Sequence, residues 1–161
     1  MKRPTGLVMA TLWLAAVGRG RAETPALYER LTGPELQQLF QSWGYRAELD
    51  KDDEGDPEVR TGMSGRNVQV YFYNCNREQA TRSCTAIQFY MGVKTEKKVE
   101  WSAVNAWNHE KRYVKLYLTD TGSVHAEMDV PLTGGVTAAF LKHTVSIYED
   151  AIPEILAALP D

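Results

Sequence analysis

The sequence predicts an α+β domain in which an antiparallel sheet of about five to six strands carries helices on one face. Stretches that alternate strictly between apolar and polar residues come as neighbouring pairs, Asn67–Tyr73 with Ile87–Val93 and Tyr113–Thr119 with Val124–Val130. Apolar residues spaced by three and four mark helices at the start, middle and end of the domain. The resulting order, a helix, a run of strands, a helix, a hairpin and a closing helix, describes helices gathered on one side of an antiparallel sheet.

The chain has 161 residues, 43% of them hydrophobic and 24% charged, enough for one domain with its own core. It contains no internal repeat and no linker long enough to separate two domains. Residues 1–22 read as a secretory signal peptide cleaved after Ala22, with Lys2 and Arg3 ahead of an uncharged run from Leu7 to Val17 and small residues at Gly20 and Ala22. That run is 11 residues long, against the roughly 20 needed to span a bilayer, so no stable membrane anchor is expected after cleavage. Removing residues 1–22 takes away four basic residues and no acidic ones, which changes the net charge from −3 to −7. An acidic domain repels phosphate backbones, and nucleic acid is excluded as a partner.

Residues 23–32 read as a polar, mobile lead-in to a domain spanning 33–159. The first helix is marked by Thr32 and Glu35 at capping-box spacing, Pro34 in its first turn, and Leu31 with Leu36 as a hydrophobic staple. Leu36, Leu39, Phe40 and Trp43 form its apolar stripe, and Gly44 ends it. Tyr45–Leu49 alternates as a strand with Tyr45, Ala47 and Leu49 on one side. The acidic loop Asp50–Glu58 imitates the start of a calcium loop, but its twelfth position is Thr61 where a bidentate glutamate is required, so it reads as a solvated hairpin loop. Val59–Met63 follows, turned by Ser64 and Gly65 into the strand Asn67–Tyr73.

In that strand Val68, Val70 and Phe72 face the core, while Gln69, Tyr71 and Tyr73 face away. Ile87, Phe89, Met91 and Val93 continue the apolar face, with Ala86, Gln88 and Tyr90 opposite. Cys75 and Cys84 flank the loop between these two strands. In an exported chain such a pair is most simply a disulfide, worth about 2.7 kcal/mol for a loop of about ten residues in the chain-entropy model. A redox pair would have two intervening residues, and zinc would need further ligands nearby.

The central helix covers roughly Lys97–His109, with Val99, Ala103, Val104, Ala106 and Trp107 as burial candidates. Val114, Leu116 and Leu118 face inward on the next strand, leaving Tyr113, Lys115 and Tyr117 outside. After the Asp120–Gly122 turn, Val124, Ala126, Met128 and Val130 face inward, with His125, Glu127 and Asp129 opposite, and Pro131 ends the strand. Gly134 and Gly135 permit a sharp reversal into the last helix. Its buried face is expected at Val136, Phe140, Thr144, Tyr148, Ile152, Ile155 and Leu159, and Pro153 should kink or split it.

No catalytic, metal or cofactor motif is present. Gly62, Met63, Ser64 and Gly65 lack nucleophile-elbow spacing, and His109, His125 and His143 do not form a zinc helix motif. A small-molecule sensor, the alternative reading, would bind its ligand in a pocket between sheet and helices near Trp101 or Trp107. The stronger candidate is the outer sheet face with Tyr71, Tyr73, Tyr90, Tyr113 and Tyr117, because tyrosine joins apolar area to a hydrogen-bonding tip.

Several motifs resemble the YbjN domain family: Trp43, Gly44 and Tyr45; the Cys84–Val93 strand; Val104 to Asn108; the strand opened by Arg112 and Tyr113; the Thr119–Gly122 turn; Glu127 to Asp129; and Gly134 to Val136. The resemblance covers residues 33–158. It implies a fold like that of type III secretion chaperones, and it implies the sensory or regulatory roles with which members of the family have been labelled, with no reaction assigned. The leader and the cysteine pair set this chain apart from a cytoplasmic regulator. The expected protein is therefore a periplasmic or secreted, non-enzymatic, chaperone-like module with a protein partner or a second copy of itself, the alternative being a periplasmic sensor of a small molecule.

Overall fold

The computed structural model describes residues 26–160. The expected leader 1–22, its cleavage after Ala22, and positions 23–25 lie outside the described residues. In chain order the elements are β1 (Leu27–Tyr28), β2 (Leu31–Thr32), α1 (Gly33–Ser42), β3 (Ala47–Lys51), β4 (Pro57–Met63), β5 (Arg66–Cys75) and β6 (Ser83–Val93). They continue with α2 (Trp101–Glu110), β7 (Lys115–Leu118), β8 (Val124–Pro131), β9 (Val136–Thr137) and α3 (Ala138–Ala158). Six strands run in the order β3-β4-β5-β6-β8-β7, and β2 pairs with the start of β6 to make seven. Every pairing is antiparallel.

The pairing of β1 with β9 and of β2 with β6 puts strands into a stretch that reads as a lead-in. Two-residue strands have no periodicity to detect, and only their distant partners define them.

Local chemistry sets the main boundaries. Thr32 and Glu35 form the capping box of α1, with the Thr32 N–H donating to Glu35 Oε2 at 2.8 Å. Ser64 and Gly65 both have positive φ, 46° and 73°, as the tight turn between β4 and β5 demands. The loop between β3 and β4 shrinks to 52–56, since β3 runs on to Lys51 and Pro57 opens β4 opposite it.

The inward faces of the strands pack with the helices into one core, in which Phe40, Phe72, Phe89 and Tyr148 are fully buried. Tyr148 also donates its hydroxyl to the Ala126 carbonyl at 2.9 Å, which pins α3 to β8. Pro153 does not split α3, which runs unbroken past it. Proline withholds the N–H that the Glu149 carbonyl would accept, and the Ser64 hydroxyl donates to that carbonyl instead, at 3.3 Å.

Two expected core positions, Phe140 and Ala106, lie in solvent, and Leu49, on the Ala47 side of the edge strand β3, is 42% exposed with its side chain against Gly33. Phe140 is 48% exposed, since in the first turns of α3 Leu141 and Val145 take the inward place beside the expected Thr144, Tyr148, Ile152 and Ile155. Ala106 is exposed because α2 buries only the narrow stripe of Val104 and Trp107.

Candidate functional site

Opposite the helices, strands β5, β6, β8 and β7 present a continuous row of rings. The register sets Tyr71 against Gln88, Tyr90 against Glu127 and Tyr117 against His125. Neighbouring rings meet edge to face: Tyr71 and Tyr90 at 5.6 Å between centroids, Tyr90 and His125 at 5.0 Å, and His125 and Tyr117 at 5.1 Å. This is the favoured geometry for aromatic pairs, in which the positive edge of one ring meets the negative face of the next.

Hydrogen bonds run along the row. Tyr117 donates its one proton to Glu127 Oε1 at 2.8 Å, so its oxygen is left to accept from His125 Nδ1 at 2.9 Å. The Tyr90 hydroxyl lies 3.1 Å from His125 Nδ1 and 3.2 Å from its Nε2. Glu127 also receives Gln88 Nε2 at 3.2 Å and Lys115 Nζ at 3.0 Å. These donors satisfy the buried side-chain oxygens of a residue only 9% exposed. Tyr73 completes the patch by donating to Gln88 Oε1 at 3.2 Å.

Burial, reinforced by nearby carboxylates, makes these phenols harder to ionise. Tyr71 is raised by burial and then by Glu58, Tyr73 by burial and then by Glu127 and Asp129, and Tyr90 by burial and then by Glu127. Burial and the Glu127 hydrogen bond push Tyr117 up to about 12. Tyrosines held neutral are suited to contact and hydrogen bonding. They are unsuited to phenolate chemistry.

Tyr71, Tyr73, Tyr90 and Tyr117 thus share one face, but Tyr113 stands outside the strand ladder. β7 begins only at Lys115, because Arg112 to Val114 form a tight bend in which Tyr113 takes a φ of 73°. The Trp107 indole N–H holds that bend by donating to the Val114 carbonyl at 2.8 Å. His125 and Glu127 join the site although tyrosines alone single it out in the sequence. Their outward phase on the β8 pattern was the available signal.

Across β5 and β6, Cys75 faces Cys84 and the two are disulfide-bonded. The loop they close sends Arg77 and Arg82 onto Asp56 at 3.1 and 2.6 Å. Asp56 is only 6% exposed. Burial works to raise its pKa, yet the hydrogen bonds from Arg82 and Arg77 prevail and lower it. Beside this clamp lies an open cleft of about 650 Å³ that includes Pro34, Leu49, Pro57 and Arg82 in its walls. Neither Trp101 nor Trp107 lines it: Trp107 is buried in the core, and Trp101 is exposed on α2. Among the described residues no group of three or more His, Cys, Asp or Glu is placed to hold a metal ion, and no helix is long and apolar enough to cross a membrane.

An open antiparallel sheet with three helices on one face and a polar aromatic row on the other defines a mixed α+β domain. The chain belongs to the YbjN family, whose model matches residues 34–160 and carries the description "Putative bacterial sensory transduction regulator". No curated protein matches the chain.

Proposed function

We propose that this protein is an exported, non-enzymatic binding module that holds a segment of another protein on the face formed by Tyr71, Tyr73, Tyr90 and Tyr117. The observation that carries this reading is the row of edge-to-face rings on a sheet face opposite all three helices. Rings locked to one another and to His125 lose little side-chain freedom when a partner covers them, so contact there costs less entropy than on a mobile surface. Export to the periplasm or beyond is supported by the leader pattern in residues 1–22 and by the Cys75–Cys84 bond. The role is chaperone-like in the sense that the module holds a chain and performs no reaction on it.

The test is affinity capture from a periplasmic extract with the wild type and with Tyr71→Ser, Tyr90→Ser, Tyr117→Ser, followed by binding measurements on the recovered partner in purified form. Loss of that partner by a variant that still melts cooperatively supports the reading. Equal binding by both proteins overturns it.

A second reading, a small-molecule sensor, is favoured by the family description and by the cleft beside Arg82. A ligand seated there would raise the melting temperature of the wild type and not of an Arg82→Ala variant. A thermal-shift screen that finds no such ligand counts against it.

A further inference from the structure

We infer that the cleft beside the disulfide-closed loop binds a small organic monocarboxylate with an apolar body, an inference that rests on the second reading above and adds the chemical class of the ligand. The polar end of the site is built on Asp56, whose buried carboxylate holds Arg82 Nη1 at 2.6 Å and Arg77 Nη2 at 3.1 Å. The Glu54 carbonyl accepts from the same Arg82 nitrogen at 3.0 Å. A guanidinium has five N–H donors. Arg82 meets its protein partners through Nη1 alone, so its Nε and Nη2 stay unengaged among the described residues. That edge carries two parallel donors, the arrangement that a carboxylate accepts with both oxygens. Asp56 therefore orients Arg82 without using the edge that a ligand needs, and a side chain already fixed loses little freedom on binding.

Lys51 supplies the charge. It lines the same cleft and is exposed, and among the described residues no carboxylate lies within salt-bridge distance of it. Asp50 beside it is held by Arg60 at 2.9 Å, and Arg77 and Arg82 are matched by Glu54 and Asp56. One cation is left over, which suits a single carboxylate better than a dianion. Pro34, Leu49 and Pro57 give the cleft an apolar lining, and the 42% of Leu49 that is exposed gains by being covered. Two prolines with fixed φ and a loop closed by Cys75–Cys84 mean that the walls are formed before a ligand arrives.

The experiment titrates the isotopically labelled full chain, its disulfide intact, with hexanoate, hexanol, hexylammonium and acetate, and follows backbone amide signals by NMR. Hexanoate is expected to shift signals in 49–57 and 77–82 and to bind about fivefold more tightly than hexanol or acetate. Hexylammonium is expected to leave those signals in place. Lys51→Gln should weaken hexanoate about threefold, and Arg82→Lys, which keeps the charge but loses the paired donors, about tenfold. Leu49→Ala should weaken hexanoate and leave acetate within about twofold. Lys142→Gln removes one positive charge from an exposed position of α3 outside the cleft and should leave affinity within about twofold. Lys51→Gln and Leu49→Ala, neither of which touches the Asp56 clamp, carry the test if Arg82→Lys disturbs the loop.

If hexanol binds as tightly as hexanoate at the same residues and Lys51→Gln changes neither, the carboxylate class is overturned while the cleft reading stands. Tighter binding of hexylammonium has the same meaning. Equal loss in Lys142→Gln, or shifts scattered away from the two segments, shows general adsorption and overturns the inference. No binding by any probe also overturns it, leaving the cleft reading to the thermal-shift screen.

Discussion

The side chain of Asn108 completes the outer edge of β7 by hydrogen-bonding both backbone groups of Leu116, with Nδ2 donating to the carbonyl and Oδ1 accepting from the N–H, each at 2.9 Å. An amide side chain has the same donor and acceptor as a peptide unit, so Asn108 occupies the place that a further strand would take. Exposed strand edges template aggregation unless something blocks them. With the Trp107 indole on the Val114 carbonyl just before it, α2 seals this end of the sheet.

Replacing Asn108 with Ala should leave both Leu116 groups without this partner and cost about 1–3 kcal/mol. Urea denaturation measures the loss, and size-exclusion chromatography should show concentration-dependent association in the variant only. An unchanged denaturation midpoint with no association would remove the edge-sealing role.

Pro153 and Ser64 make a second pair that can be tested. Pro153→Ala restores the helical N–H to the Glu149 carbonyl at a solvent-exposed position, and should stabilise the protein by about 1–3 kcal/mol, bounded by the cost of proline inside a helix. Ser64→Ala should cost about 1 kcal/mol in the wild type and less in the Pro153→Ala background. A double-mutant cycle measures the difference, and additivity would show that the two residues do not share the carbonyl.

Cys75→Ser with Cys84→Ser should lower stability by about 2–3 kcal/mol through the longer reach of the unfolded chain. The same change should loosen the Arg77 and Arg82 clamp on Asp56. Hydrogen exchange is expected to rise at 52–56 as well as at 76–82, since the two loops are held to each other. Protection lost only in 76–82 would show that the loops are independent.

Stability should fall at both ends of the pH scale, for opposite reasons. Asp56 has a folded-state pKa below its ordinary 3.8, so its contribution is present above that value and lost as pH falls through the depressed one. Tyr45, raised to about 12 by burial and its hydrogen bond to Glu149, and Tyr117, raised to about 12 by burial and Glu127, behave the other way. Their contribution is intact below pH 10 and lost as pH climbs toward 12. Denaturation midpoints across pH should show an acid limb that Asp56→Asn flattens and an alkaline limb that Tyr117→Phe flattens. An alkaline limb unchanged by Tyr117→Phe would remove that tyrosine from the account.

Much of the architecture was legible because the relevant signals are local. The capping box at Thr32 and Glu35, the turn at Ser64 and Gly65, and the alternation through Val68, Val70 and Phe72 each depend on residues within a few positions of one another. The outward phase of Tyr71, Tyr90 and Tyr117 was legible for the same reason, since alternate residues on a strand point to opposite faces. Tyr113 misled because alternation continues through it, while the bend that removes it from β7 is held by Trp107 six residues earlier. Leu49 and Phe140 are hydrophobic residues in phase with buried neighbours, and what leaves them exposed is the extent of other elements.

The sequence by itself determined where the helices and main strands lie, which way most of their side chains point, and that two cysteines flank one hairpin loop. Only the tertiary structure decided that β8 lies between β6 and β7, which brings Tyr90, His125 and Tyr117 into one row, and that Asn108 closes one edge of the sheet while Leu49 is left open at the other. The physical reason is range. The facing of a side chain follows from the backbone geometry of its own segment, whereas its neighbours across a sheet depend on a global balance of packing and pairing among segments far apart in the chain.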